Sequence, residues 1–127
     1  MRRLRTVGPL LLLAVVLAGC PKPQMASNIP DPTTFARNLF KIARAGDVDA
    51  WGEQLSYAKR SQGDAYIQKH FDSWTPILLQ LETTFGVPIE DVQFRKEENA
   101  LEFQFDKKWK LLFRVVTEDG GLKINQD

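Results

Sequence analysis

Hydrophobic positions along this chain keep one period up to Phe85 and a different one after Val92. Phe35, Leu39, Ile42 and Ala43 recur at three- and four-residue steps, the one-sided stripe of a helix packed on a core. Asp31-Pro32 ahead of them offers an N-cap and a proline at the first helical position, and Gly46 offers a left-handed C-cap. Asp47 then caps a second helix with Trp51, Leu55 and Ala58 on one side. Gly52 costs that helix about 1 kcal/mol relative to alanine, which predicts a short element. After the break at Ser61-Gln62-Gly63, Asp64 caps a third, longer helix carrying Ile67, Phe71, Trp74, Leu78, Leu81 and Phe85. Pro76 removes one of its hydrogen bonds and disfavours helical geometry at Thr75. A kink or a restart capped by Ser73 or Thr75 is therefore expected, and Gly86-Val87-Pro88 closes the region.

Beyond that point the apolar residues alternate with polar ones: Val92 and Phe94; Leu101, Phe103 and Phe105; Trp109, Leu111, Phe113 and Val115; Leu122 and Ile124. Four strands with one buried face read as an antiparallel sheet. A turn at Glu98-Asn99 puts Phe94 opposite Phe103, and Asp119-Gly120 as a primed turn puts Val115 opposite Ile124. A three-residue loop Asp106-Lys107-Lys108 puts Phe105 opposite Trp109 and Phe103 opposite Leu111. On this register the inward face carries Leu101, Phe103, Phe105, Trp109, Leu111, Phe113 and Val115. Leu112 and Val116 then lie outward, among Glu102, Gln104, Lys110 and Arg114. The fold class that follows is α+β, with three N-terminal helices packed on a four-stranded antiparallel sheet.

A different pattern precedes this domain. Arg2, Arg3 and Arg5 lead an almost unbroken apolar run of 12 residues from Val7 to Ala18. That run is too short to cross roughly 30 Å of hydrocarbon as a helix and has the layout of a secretory signal. It ends in Leu17-Ala18-Gly19-Cys20, which resembles the lipobox of bacterial lipoproteins. The resemblance implies a diacylglyceryl group on the Cys20 thiol and cleavage just before it by signal peptidase II, with further acylation of the new amino group. An ordinary Cys20 thiol behind an uncleaved anchor is the alternative, although such an anchor needs about 20 apolar residues. Arg2-Arg3 alone offers little for a twin-arginine route, and general secretion is expected.

The chain thus divides into a signal peptide (1–19), a lipidated Cys20 with a Pro-rich tether (20–31) and one domain (32–127). Four prolines between residues 21 and 32 keep the tether extended. At about 3.1 Å per residue it reaches up to roughly 37 Å from the bilayer. The residue after Cys20 is Pro21, not aspartate. By the lipoprotein sorting rule this implies the outer membrane, facing the periplasm, in a two-membrane host. In a host with one membrane it implies the outer face of the cytoplasmic membrane.

Cleavage leaves 108 of the 127 residues, and loss of three arginines leaves 14 basic against 16 acidic groups, a net charge of −2. Such a mixed, weakly acidic surface lacks the footprint of a nucleic-acid binder. With Cys20 acylated no thiol remains for a disulfide, and one histidine, His70, cannot build a two-histidine metal site. No cofactor is implied.

The junction Ala45-Gly46-Asp47-Val48-Asp49-Ala50-Trp51 and the closing hairpin Glu118-Asp119-Gly120-Gly121-Leu122-Lys123-Ile124 are similar to segments of the nuclear-transport-factor-two-like (cystatin-like) superfamily. Leu122 departs from that pattern, since an aromatic is common there. The resemblance implies a curved sheet wrapped around helices as a cone with a pocket at its open end. It does not fix a function, because that fold hosts enzymes, ligand binders and interaction modules.

Enzymes of the ketosteroid-isomerase kind need a carboxylate base and an oxyanion hole built with a tyrosine and a protonated acid. Here the inward strand positions carry no titratable group, and Tyr57 and Tyr66 are the only tyrosines. Trp51, Phe71, Trp74, Phe103, Phe105, Trp109 and Phe113 can line an apolar ligand cavity or simply pack the cone. His70, with Tyr66 and Asp72 near it in sequence, is either a general base at a pocket mouth or a helix residue at the surface or core edge. Lys107, Lys108 and Lys110 form a basic hairpin tip, solvated or resting on anionic lipid. Leu112 and Val116 on the wet face suit a partner or a second copy, or a C-terminal segment packed over them. The function expected is a lipid-anchored envelope protein whose domain binds an envelope protein or itself, without catalysis. A carrier or sensor of a small apolar ligand is the alternative.

Overall fold

The computed structural model describes residues 31–127; the expected signal peptide, Cys20 and the expected tether up to Pro30 lie outside the described residues. Helix α1 (Pro32–Ala45) starts where the Asp31 side chain accepts from the Thr33 amide at 3.0 Å. It ends at Gly46, whose φ of 69° lets its amide reach the Ile42 carbonyl at 3.0 Å. Asp47 caps α2 (Val48–Glu53) through the Ala50 amide. A Cβ on Gly52 would sit 3.1 Å from Ile67 Cγ2, so glycine is what lets α2 lie against the long helix. After α2 the chain touches β4 at Leu55, makes one turn of helix as α3 (Tyr57–Arg60), and enters α4 (Asp64–Phe85). The second helix expected to carry Leu55 and Ala58 therefore stops short of both: α2 ends at Glu53, Leu55 bridges to Ile124, and Ala58 belongs to α3.

Pro76 does not restart α4, which runs unbroken for 22 residues. The Thr75 hydroxyl donates to the Phe71 carbonyl at 2.8 Å and caps nothing. A 3₁₀ turn (Ile89–Asp91) buries Ile89 and Val92 before the sheet begins, so Val92 precedes the first strand.

Strands β1 (Phe94–Glu97), β2 (Ala100–Phe105), β3 (Lys108–Glu118) and β4 (Gly121–Ile124) pair antiparallel in chain order. The molecule is α+β, with its N-terminal helices packed on this sheet. The outer two hairpins have the expected register, with Phe94 opposite Phe103 and Val115 opposite Ile124.

The central hairpin differs in two ways. Its turn has two residues, Asp106 and Lys107, both at positive φ (55° and 65°), so Phe105 faces Lys108 and Gln104 faces Trp109. Further along, the pairing shifts between Leu101 and Glu102, where β3 carries an extra residue at Leu112. The bulge turns β3 over. Trp109 and Leu111 lie on the side away from the helices, whereas Leu112, Phe113 and Val115 are buried under them. Leu111 is 45% exposed, and the inward placement expected for Trp109 and Leu111, like the outward one for Leu112, is corrected here.

The core between helices and sheet holds Leu39, Phe40, Trp51, Leu55, Leu78, Leu101, Phe113 and Ile124, each with no exposed surface. At roughly 1.5–3 kcal/mol per large apolar side chain buried, this core drives folding.

Candidate functional site

The chemistry-bearing side chains of the domain converge where α4 meets the C-terminal residues Asn125–Asp127. His70 occupies the inward stripe of α4, between Ile67 and Trp74, and only 4% of its surface is exposed. The Trp51 indole N–H donates to His70 Nδ1 at 3.0 Å. An indole nitrogen can only donate, so Nδ1 is bare and the ring proton sits on Nε2. That proton is donated to the Gln126 carbonyl at 2.7 Å. Burial pushes the His70 pKa below its usual 6.5, against the opposing pull of the Gln126 carbonyl and the Asp127 charge. The imidazole is neutral, and both ring nitrogens are already engaged. To act as a base it would have to give up the Trp51 bond.

The same terminal residues take three more donors. Trp74 Nε1 donates to the Asp127 carbonyl at 3.1 Å, Tyr66 Oη to Asp127 Oδ1 at 2.6 Å, and Lys59 Nζ to that oxygen at 2.8 Å. Bonds from Lys59 and Tyr66 hold the Asp127 carboxyl below the usual carboxylate range. Partial burial, with the Asp127 charge beside it, pushes the Tyr66 phenol up to about 12. Gln126 Oε1 accepts from the Arg114 amide of β3, and Asn125 Oδ1 from the hydroxyl of Ser56, the N-cap of α3, both at 2.8 Å. The terminal residues thus clasp α4 to β3. Asp72, grouped with His70 in sequence, is bonded to Gln68 at 3.0 Å instead.

Beside this clasp lies an open cleft of about 480 Å³, bordered by Tyr66, Lys69, His70, Trp74, Ile77 and Asp127. It combines two aromatic edges and an apolar side chain with one ammonium and one carboxylate.

The seven aromatic residues expected around a cavity separate into three places. Trp51, Phe71, Trp74 and Phe113 pack on one another, Trp74 and Phe113 at 4.8 Å between ring centroids. Phe103 and Phe105 pack on Phe85 at 5.5 and 6.4 Å. Trp109 stands apart on the outer face, under the Arg95 guanidinium at 4.3 Å, and Arg95 in turn bonds Glu102 at 2.8 Å. Trp74 alone of the seven borders the cleft. Among the described residues no cluster of three or more potential ligands is placed to hold a metal ion.

The burial of His70 had a signal in the sequence, since Ile67, Phe71, Trp74 and Leu78 place position 70 on their own stripe. The terminal clasp had none, because short polar tails carry no period. Comparison of the chain with family models, with curated proteins and with solved structures finds no match.

Proposed function

We propose that this chain is a lipid-anchored envelope protein, held to the membrane through acylated Cys20, whose α+β domain works by binding a protein partner rather than by catalysis. We read the domain as a curved, cone-like member of the nuclear-transport-factor-two-like architecture. The helix–Gly46–Asp47–helix junction and the Asp119-Gly120 hairpin support that reading. The observation that carries the interaction half is the outer strip of β3. Trp109 and Leu111 sit there away from the core, and β-bulges recur where a side chain is re-aimed for use. The anchoring half rests on Leu17-Ala18-Gly19-Cys20 after its apolar run. No helix among the described residues is long and apolar enough to cross a membrane.

His70 supports the non-catalytic reading, because its two nitrogens serve Trp51 and the Gln126 carbonyl. The cleft beside Trp74 favours the second reading, a binder of a small amphipathic ligand.

One experiment addresses both halves of the first reading. A photo-crosslinking side chain at Leu111, in cells, should yield a discrete protein adduct from the membrane fraction. Cys20→Ala should block acylation and the cleavage coupled to it, which leaves the protein at precursor size and changes its fractionation. Unchanged size and fractionation of Cys20→Ala would remove the anchoring half, and an adduct-free Leu111 would remove the interaction half.

A further inference from the structure

Strand β3 is longer than its neighbours, and part of one side of it is unpaired. The two-residue turn makes Phe105 and Lys108 exchange backbone hydrogen bonds, and the pair Phe103–Lys110 repeats this two residues on. The N–H and C=O groups of Trp109 and Leu111 therefore point away from β2, toward the side where β4 should lie. But β4 pairs only with Val115–Glu118, and beyond it Asn125 and the Gln126 side chain take Arg114. From Phe113 down to Lys108 the edge has no backbone partner among the described residues, and besides β2 and β4 no described element runs along β3. Four backbone groups, two donors and two acceptors, stand open in strand geometry.

We infer that this edge, Lys108 to Leu112, accepts an extended segment of a partner protein whose residues alternate acidic and apolar. The proposal rests on the interaction reading above and names the kind of partner. The side chains dictate the alternation. Trp109 and Leu111 flank the edge on the outer face, where apolar residues of an added strand would lie beside them. Lys108 and Lys110 flank it on the other face, both exposed, with Lys107 at the turn. Acidic residues of the added strand fall beside these ammonium groups.

A second copy of this chain fits poorly. Pairing about Lys110 sets that residue against itself, pairing about Trp109 sets Lys108 against Lys110, and pairing about Leu111 runs each copy into the other's bulge at Leu112 and on to Arg114, whose backbone groups Asn125 and Gln126 already hold. Like charges directly opposite destabilise a sheet. Edge lysines and a bulge are also what proteins use to discourage indiscriminate strand addition. Here they turn away basic and neutral strands and admit an acidic one.

The test uses the full-length acylated protein in detergent micelles at low salt. Its probe is a capped, fluorescein-labelled peptide, Glu-Val-Glu-Val-Glu-Val, followed by anisotropy. Saturable binding is expected, with no binding of the Lys-Val counterpart. Leu111→Pro removes one outward N–H, a change that edge strands tolerate. It should weaken binding by about tenfold or more while the far-ultraviolet dichroism is kept. Should Leu111→Pro unfold, the double variant Lys108→Glu, Lys110→Glu decides: it should lose the acidic peptide and gain the basic one. Equal binding of both peptides, or an unchanged affinity in that double variant, overturns the proposal. So does a concentration-dependent dimer that excludes the peptide. A discrete crosslink from Leu111 in cells without any peptide binding would overturn this inference and leave the interaction reading standing.

Discussion

Two groups of aromatic rings fill the space between helices and sheet, and they are closed in different ways. Around Phe85 the neighbouring rings are all phenylalanines: Phe40 at 5.9 Å, Phe103 at 5.5 Å and Phe105 at 6.4 Å, with Phe94 against Phe40 at 6.2 Å. Around His70 the rings are just as close, Trp51 at 6.0 Å and Trp74 at 6.3 Å. There, however, packing is joined to the relay from Trp51 through His70 to the Gln126 carbonyl. The Phe85 group can respond only to volume. The His70 group also responds to hydrogen-bond geometry and to protons, and through the clasp it ties the end of the chain to the core.

The largest expected effect comes from volume. Phe103→Ala in the first group and Phe113→Ala in the second should each cost about 3–5 kcal/mol, since both rings are buried and their neighbours cannot fully collapse into the space. That is a large part of the stability of a domain this size. Chemical denaturation of the full chain in detergent measures it. A loss at Phe103 below about 1 kcal/mol would mean that the group around Phe85 is loosely packed.

The second effect separates the groups. His70→Gln at first sight suits a helix, because glutamine is a good helix former. Burial changes that outlook. One amide cannot serve Trp51 and Gln126 together while filling the ring's place between Trp51, Tyr66 and Trp74, so a cost of about 1–3 kcal/mol is expected.

The wild type should in addition be sensitive to acid. Its folded His70 binds a proton less readily than the unfolded chain, so stability is full above about pH 6.5 and falls as the pH drops below it. The slope cannot exceed about 1.4 kcal/mol per pH unit for one proton. His70→Gln should flatten that slope between pH 7 and 5, and Phe103→Ala should leave it in place. Melting midpoints across that range decide; parallel curves for wild type and His70→Gln would disprove the coupling.

How far the sequence revealed this depended on the kind of signal each feature leaves. Caps and periods made α1, the start of α2, the extent of α4 and the two outer hairpins legible, because Asp31, Gly46, Asp47 and Asp119-Gly120 are residues chosen for a backbone conformation. The central hairpin hid its turn. Asp106 and Lys107 adopt positive φ without a glycine, so composition suggested a longer loop. The bulge hid behind the adjacent pair Leu111-Leu112, which strict alternation assigns to the wrong faces. Of the candidate site, His70 was expected at the surface or the core edge and is buried instead, although its spacing from Ile67 and Trp74 on α4 carried that signal. Its partners in the clasp come from 56 residues further along, and no local pattern announces them.

The smallest effect is also the one that most sharply limits the comparison. Trp109 has the largest side chain on β3, and simple alternation would place it in the core beside Phe113. It belongs to neither aromatic group. Its ring lies on the outer face under Arg95, and that guanidinium is itself partly exposed and shared with Glu102. A cation–π contact at such a site contributes about 0.5–1 kcal/mol. Trp109→Ala should therefore cost about 1 kcal/mol, several times less than Phe103→Ala one strand away, and should leave the acid slope unchanged. The two variants can be unfolded side by side in denaturant. A Trp109→Ala cost equal to that of Phe103→Ala would place the ring in the core after all. It would also restore the unbulged register and close the outer strip on which the interaction reading stands.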